Sequence, residues 1–161
     1  MIRVEKLELS DHSSIKKVAE LEREIFPDAW SEKEVESTVS QKHAFCAIAK
    51  EKEKIVGYFL CYFVLDEWEI ARIAVSLDDR RKGIGQKLFD FMMDVCKEKG
   101  MARLLLDVRE SNLPAINFYK KNGFVIDGIR KNFYGGPQPE NAILMSFQVT
   151  GQRFYEVEDS V

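Results

Sequence analysis

The run from residue 68 to residue 108 constrains the fold more than any other part of the chain. Residues 68–75 alternate near their start and end in the apolar Ile73-Ala74-Val75. Residues 83–99 carry Ile84, Leu88, Phe91, Met92 and Val95 at helical spacing. Gly100 stands where a helix C-cap glycine belongs. Residues 102–108 contain Leu104-Leu105-Leu106, the apolar run of a buried strand. Strand, amphipathic helix and buried strand together make a βαβ unit, whose two strands lie parallel.

The flanking segments add strands of the other kind. Ile2, Val4 and Leu7 mark a first strand. Residues 11–25 carry Ile15, Val18, Ala19, Leu21 and Ile25 as a helical stripe, and Ser31-Glu32-Lys33-Glu34 fits a capping box that opens a second, short helix. Residues 44–49 and 55–64 read as strands joined by the charged turn Glu51-Lys52-Glu53-Lys54, and with residues 68–75 they suggest an antiparallel meander. Residues 113–122 form a further helix, with Pro114 in its first turn and Gly123 as its stop. Residues 124–129 and 142–149 finish the chain as strands. The fold class is therefore α/β, a mixed sheet that is antiparallel at first and carries one parallel crossover. Residues 1–149 read as a single domain, and residues 150–161 as a polar C-terminal tail.

Composition narrows the function classes. A chain of 161 residues is long enough to bury a core without disulfides or a structural metal. With 24 Lys+Arg against 27 Asp+Glu, the net charge of −3 argues against broad nucleic-acid binding, which needs a large basic surface. The longest apolar run, residues 55–65, is shorter than the roughly 20 residues a transmembrane helix needs, so no membrane partner is expected. The N-terminus does not read as a secretory signal. Cys46, Cys61 and Cys96 have no metal-type spacing, and His12 and His43 are the only histidines, so no metal is expected. An odd cysteine count without an export signal points to a reducing cytoplasm.

Two stretches carry chemistry. In Arg80-Arg81-Lys82-Gly83-Ile84-Gly85-Gln86, glycines between a strand and a helix let backbone N–H groups approach a ligand. A helix N-terminus adds partial positive charge and open donors, which suits a phosphate or diphosphate. Cations just before a helix oppose its dipole, and an anionic ligand resolves that conflict. The stretch is neither a nucleoside-triphosphate P-loop nor a dinucleotide fingerprint, since both patterns lack required residues here. The second stretch runs from Asn112 to Phe124. Asn112 can cap a helix or reach a ligand amide, and Tyr119, about two turns on, faces the same side.

Taken in order, these stretches match the R/Q-x-x-G-x-G/A loop and the following N-x-x-A-x-x-x-Y-x-x-x-G-F helix of the GNAT acetyltransferase superfamily, which the chain resembles. Phe26-Pro27, Trp30-Ser31-Glu32-Lys33, Val64-Leu65-Asp66-Glu67, Ile73-Ala74-Val75, residues 108–112 and residues 130–134 further resemble its bacterial ribosomal-protein-alanine N-acetyltransferase branch. The likeness covers roughly residues 1–148, and it implies the family fold, in which the central strands 68–75 and 102–108 splay apart around the cofactor.

The resemblance also implies roles. The enzyme would move an acetyl group from acetyl-CoA to a primary amine, here the N-terminal alanine of a protein such as a small-subunit ribosomal protein. Residues 80–86 would hold the diphosphate, with Asn112 and Tyr119 also on the cofactor. Ile73, Ala74 and Val75 would pair with the pantetheine amides, and a backbone N–H there would stabilise the oxyanion. A free α-amino group has a pKa of about 7.7–8.0, so a base helps to deprotonate it. The family places that base at Asp107, where the branch carries Glu. Asp is one methylene shorter, which brings a water relay or Glu69 into play. Tyr119 matches the family's general acid, since a tyrosine with a pKa near 10 keeps its proton at neutral pH. Phe26, Trp30 and Tyr134, with Glu69, are candidates for the acceptor site, although each aromatic ring could equally serve in packing. Two other readings stay open: a family member acting on a polyamine or aminosugar, and a CoA-binding module without catalysis.

Overall fold

The computed structural model describes residues 1–149; the expected polar tail lies outside them. The described residues divide into two compact units: Met1–Val64 with Ala71–Val95, and Leu65–Ile70 with residues 96–149.

The first unit holds β1 (Ile2–Lys6), α1 (His12–Ile25), α2 (Glu32–Val39), β2 (Ala44–Glu51), β3 (Lys54–Val64), the later half of β4 (Glu67–Val75) and most of α3 (Ile84–Glu98). Asp11 starts α1 by accepting the Ser14 N–H at 3.2 Å. The capping box expected at Ser31 is present in full: Glu34 N–H donates to Ser31 Oγ at 3.1 Å, and Ser31 N–H donates to Glu34 Oε1 at 3.0 Å. β2 pairs antiparallel with β1 and with β3, through a tight turn at Lys52, whose φ is +57°. Leu7, Ile15, Val18, Leu21, Val35, Ile48, Tyr58 and Leu60 form the buried cluster of this unit. Gly57 lets the layers close. A Cβ there would lie 3.0 Å from the Ala74 carbonyl oxygen and 3.1 Å from Leu88 Cδ1, so a side chain would push β3 off both neighbours.

The second unit holds the first half of β4, β5 (Arg103–Arg109), α4 (Leu113–Lys121), β6 (Val125–Tyr134) and β7 (Glu140–Gln148). The expected parallel pairing is present: Glu67, Trp68, Glu69 and Ile70 stand in register with Arg103, Leu104, Leu105 and Leu106, and the ladder ends there. β7 pairs antiparallel with both β5 and β6. The strand order is β1-β2-β3-β4-β5-β7-β6, a mixed sheet with β4 shared by both units. Gly123 ends α4 with φ +97°, and a Cβ there would sit 2.7 Å from Phe147 Cε1.

The structure corrects boundaries and adds one short element. β6 continues to Tyr134 where residue 129 was expected as its end, because register shifts let the exposed Arg130, Lys131 and Asn132 remain in the strand. β7 begins at Glu140 and not at residue 142. A short 3-10 helix at Leu77–Asp79, which no periodicity announced, follows β4.

Candidate active site

Each unit carries its own share of the candidate residues. In the first, the end of β4 places Ala74 in the core and Ile73 and Val75 half-buried beside it. The chain then turns through Leu77–Asp79 into the loop at residues 80–83 and enters α3, whose first helical bond runs from Lys87 N–H to Gly83 O at 3.1 Å. Arg81 and Gly83 both have left-handed backbones, φ +67° and +78°. A Cβ built on Gly83 would meet nothing within 4 Å, so the backbone here faces open space.

A buried carboxylate braces this loop. Asp79 is 3% exposed. Its carboxylate pairs with Lys82 Nζ at 3.0 Å and with Lys54 Nζ at 3.6 Å. The Lys82 hydrogen bond, opposed by burial and helped by Lys54, holds the Asp79 carboxyl below its ordinary value, and the same bond raises Lys82. The three adjacent cations therefore divide. Lys82 is committed to Asp79, and Arg80 Nε reaches back to the Val75 carbonyl at 3.3 Å. Arg81 stays exposed. Gly85 and Gln86 lie in the first turn of α3, whose leading N–H groups have no partner inside the helix. Gln86 Nε2 bonds Asp90 at 3.0 Å. Ile84 is buried, so of this residue only the backbone is available to a ligand.

Phe26 and Trp30 come together in the same unit. Both pack against the core and both lie against Arg72, whose guanidinium sits 4.3 Å from the Phe26 ring and 5.3 Å from the Trp30 ring. Arg72 was missed at the level of sequence. Its signal is parity: it falls on the face of β4 that buries Trp68, Ile70 and Ala74, where a charge needs a partner.

In the second unit, β5 buries Leu104, Leu106 and Val108 on one face and exposes Asp107 on the other. Glu69 is exposed and is paired with Leu105, so it shares the face of Asp107. Asn112 caps α4 by accepting the Ala115 N–H at 3.3 Å. Tyr119 is 6% exposed, its ring 5.6 Å from that of Phe118 and 5.3 Å from that of Phe124. Tyr134 lies under the Arg109 guanidinium at 4.1 Å. Arg109 also pairs with Glu140 at 3.4 Å, and Glu140 accepts the Ser111 N–H at 2.7 Å. These bonds hold the Glu140 carboxyl below its ordinary range, the Ser111 bonds more than Arg109. The turn from β5 into α4 is thereby fixed to the start of β7.

Among the described residues no cluster of three or more His, Cys, Asp and Glu is arranged to hold a metal, and no helix is long and apolar enough to cross a membrane.

The model of the acetyltransferase (GNAT) family matches residues 15–124. A ribosomal protein bS18-alanine N-acetyltransferase from Escherichia coli (strain K12) is 33% identical over 122 residues, covering 75% of this chain and 82% of the relative. A Bacillus subtilis (strain 168) protein provisionally given the same name is 33% identical over 145 residues, covering 89% of this chain and 92% of the relative. The crystal structure of the ribosomal-protein-S18-alanine N-acetyltransferase from Escherichia coli superposes with a TM-score of 0.83 at 29% identity, over 92% of this chain and 94% of that one.

Proposed function

The chain belongs to the acetyltransferase (GNAT) family, and we propose that residues 1–149 act as one catalytic domain that acetylates the α-amino group of a protein N-terminus. The acceptor in this reading is an alanine that begins a small-subunit ribosomal protein, and the place of action is a reducing cytoplasm. One observation carries the choice of acceptor: relatives named for alanine acetylation of ribosomal protein bS18 match this chain at 33% identity over most of its length.

Acetyl-CoA supplies the acyl group, activated as a thioester. The residues present fit its diphosphate. The Gly83 turn is open on the side where a side chain would stand, Arg81 is exposed beside it, and the N-terminal amides of α3 follow. Residues 80–86 bind through backbone N–H groups. Asp79 and Lys82 keep the loop in shape, and Lys82 adds its charge from a fixed position. Ile73, Ala74 and Val75 offer backbone groups to an extended ligand, and one N–H there steadies negative charge on the acyl oxygen.

In the second unit the Asp107 carboxylate takes the proton from the acceptor nitrogen, directly or through water, with Glu69 on the same face as the other candidate. Tyr119 Oη holds the proton destined for the departing sulfur. Asn112 is engaged in its cap and acts by fixing the first turn of α4. Phe26 and Trp30 are the acceptor-wall candidates of the first unit, and Tyr134 is that of the second.

The test is a panel of short peptides varied at the first residue, incubated with acetyl-CoA and read by mass spectrometry. Acetylation of the alanine-initiated peptide above the rest is expected. Reaction of small amines such as polyamines alone would overturn the protein acceptor while leaving acetyl transfer intact.

A further inference from the structure

We propose that the buried ion pair of Glu22 and Arg72 is a positioning device for the acceptor: it holds the loop at residues 26–31 in the shape that receives the incoming chain. The proposal rests on the reading of Phe26 and Trp30 as acceptor walls.

Glu22 stands on the apolar stripe of α1 and is 0% exposed. A carboxylate withdrawn from water persists only when it is paired and hydrogen-bonded. Glu22 meets that demand through three groups. Its Oε1 accepts the Trp30 N–H at 2.9 Å and faces Arg72 Nε at 3.2 Å. Its Oε2 accepts the Tyr58 hydroxyl at 2.6 Å. Burial, then the neighbouring carboxylate, pushes the Tyr58 phenol well above its ordinary value, so it stays a donor. The contact of Arg72 Nε with Glu22 is an ion pair and not an aligned hydrogen bond.

The rest of Arg72 is spent on the loop. Its side chain is 13% exposed, and Nη2 donates to the Asp28 carbonyl at 2.7 Å while lying 3.5 Å from the Asp28 carboxylate. The planar guanidinium covers the rings of Phe26 and Trp30. One arginine and one carboxylate thus touch Phe26, Asp28 and Trp30, in a segment that forms neither helix nor strand. An ion pair kept only for stability would be matched by apolar residues of the same volume. Here the donors and acceptors are aimed at the loop backbone, and a loop ordered in advance binds its ligand at lower entropic cost. Arg72 also precedes Ile73 directly, so the loop is tethered to the strand given to the cofactor.

The experiment compares Arg72→Leu, Arg72→Lys and Glu22→Gln with the wild type. It reads the KM for the alanine-initiated peptide, the KM for acetyl-CoA, and hydrogen exchange at the Trp30 amide. Arg72→Leu is expected to raise the peptide KM about 10-fold, because a loosened wall misplaces the acceptor. The acetyl-CoA KM should stay within about twofold, and the Trp30 amide should exchange faster. Arg72→Lys should fall between, since an ammonium keeps the charge but loses the planar fork. Glu22→Gln, which removes the charge and keeps the shape, should also speed Trp30 exchange and raise the peptide KM. A folded Arg72→Leu with an unchanged peptide KM, or with both KM values raised alike, overturns the proposal. Should Arg72→Leu fail to fold, Arg72→Lys decides on the same two readouts. Failure of the underlying reading looks different: the wild type would turn over no peptide, although Trp30 exchange would still respond to Arg72.

Discussion

Glu69 and Asp107 project from one face of the parallel ladder. Glu69 is in register with Leu105, and Asp107 follows two residues further along β5. Side chains alternate across a strand, so these residues share a face while Trp68, Ile70, Leu104 and Leu106 fill the other. At the start of the same face, Glu67 and Arg103 form an ion pair at 3.3 Å, which shows that side chains here reach across the ladder. Two exposed carboxylates in diagonal positions are thus available to move a proton.

The two are separable by substitution. Asp107→Asn is expected to lower kcat/KM about 100-fold, the lower range of a general base's contribution. Asp107→Glu, which restores the reach of the branch's usual residue, should keep most of the activity. Glu69→Gln should cost far less than Asp107→Asn. Steady-state rates with peptide and acetyl-CoA decide the matter, and the reverse order would move the base to Glu69.

Tyr119 gives a second prediction. Its ring is held by Phe118 and Phe124, so Tyr119→Phe leaves the packing in place and removes one hydroxyl. Turnover should fall about 100-fold if that hydroxyl protonates the leaving sulfur. Acetyl-CoA affinity, measured by calorimetry, should be nearly unchanged. Unaltered turnover would remove Tyr119 from the mechanism.

The third concerns the loop. Gly83 has φ +78°, a backbone that a β-branched residue adopts only under strain. Gly83→Val should raise the acetyl-CoA KM about 10-fold by moving the amides that hold the diphosphate. A bulky residue at Gly85 should act in the same direction. Normal cofactor affinity in both variants would mean that the phosphates are held elsewhere.

Acid stability gives the fourth. The Asp79 carboxyl is held below its ordinary value, so its stabilising effect is complete above the unfolded value of 3.8 and is lost as pH falls through the lower folded value. Lys82, shifted upward, stays charged throughout that window. Asp79→Asn should therefore lower Tm near neutrality and make the further loss below pH 3.8 shallower than in the wild type. Thermal melts across that range check it; parallel curves for the two proteins would contradict it.

Local features were legible in the sequence, and of the long-range ones the parallel β4–β5 pairing was legible as well. The capping box at Ser31, the Asn112 cap and the glycine stop after α4 depend on neighbours within a few positions. The βαβ unit was legible because its helix and its leucine strand have distinct periods. The insertion of β7 between β5 and β6 was not, because pairing order depends on contacts far apart in the chain. β6 read as ending early, because Arg130-Lys131-Asn132 looks like a loop until the register shifts are seen. At the site, the glycine loop and Tyr119 follow a pattern. Glu22 and Arg72 each break the pattern of their own element, and only their meeting makes either position intelligible.

The most direct measurement uses one peptide that begins with alanine and carries an internal lysine, incubated with the protein and acetyl-CoA and mapped by fragmentation mass spectrometry. A single acetyl group on the alanine α-nitrogen is expected. Acetyl on the lysine side chain alone, or an unmodified peptide beside small amines that are acetylated, would contradict it.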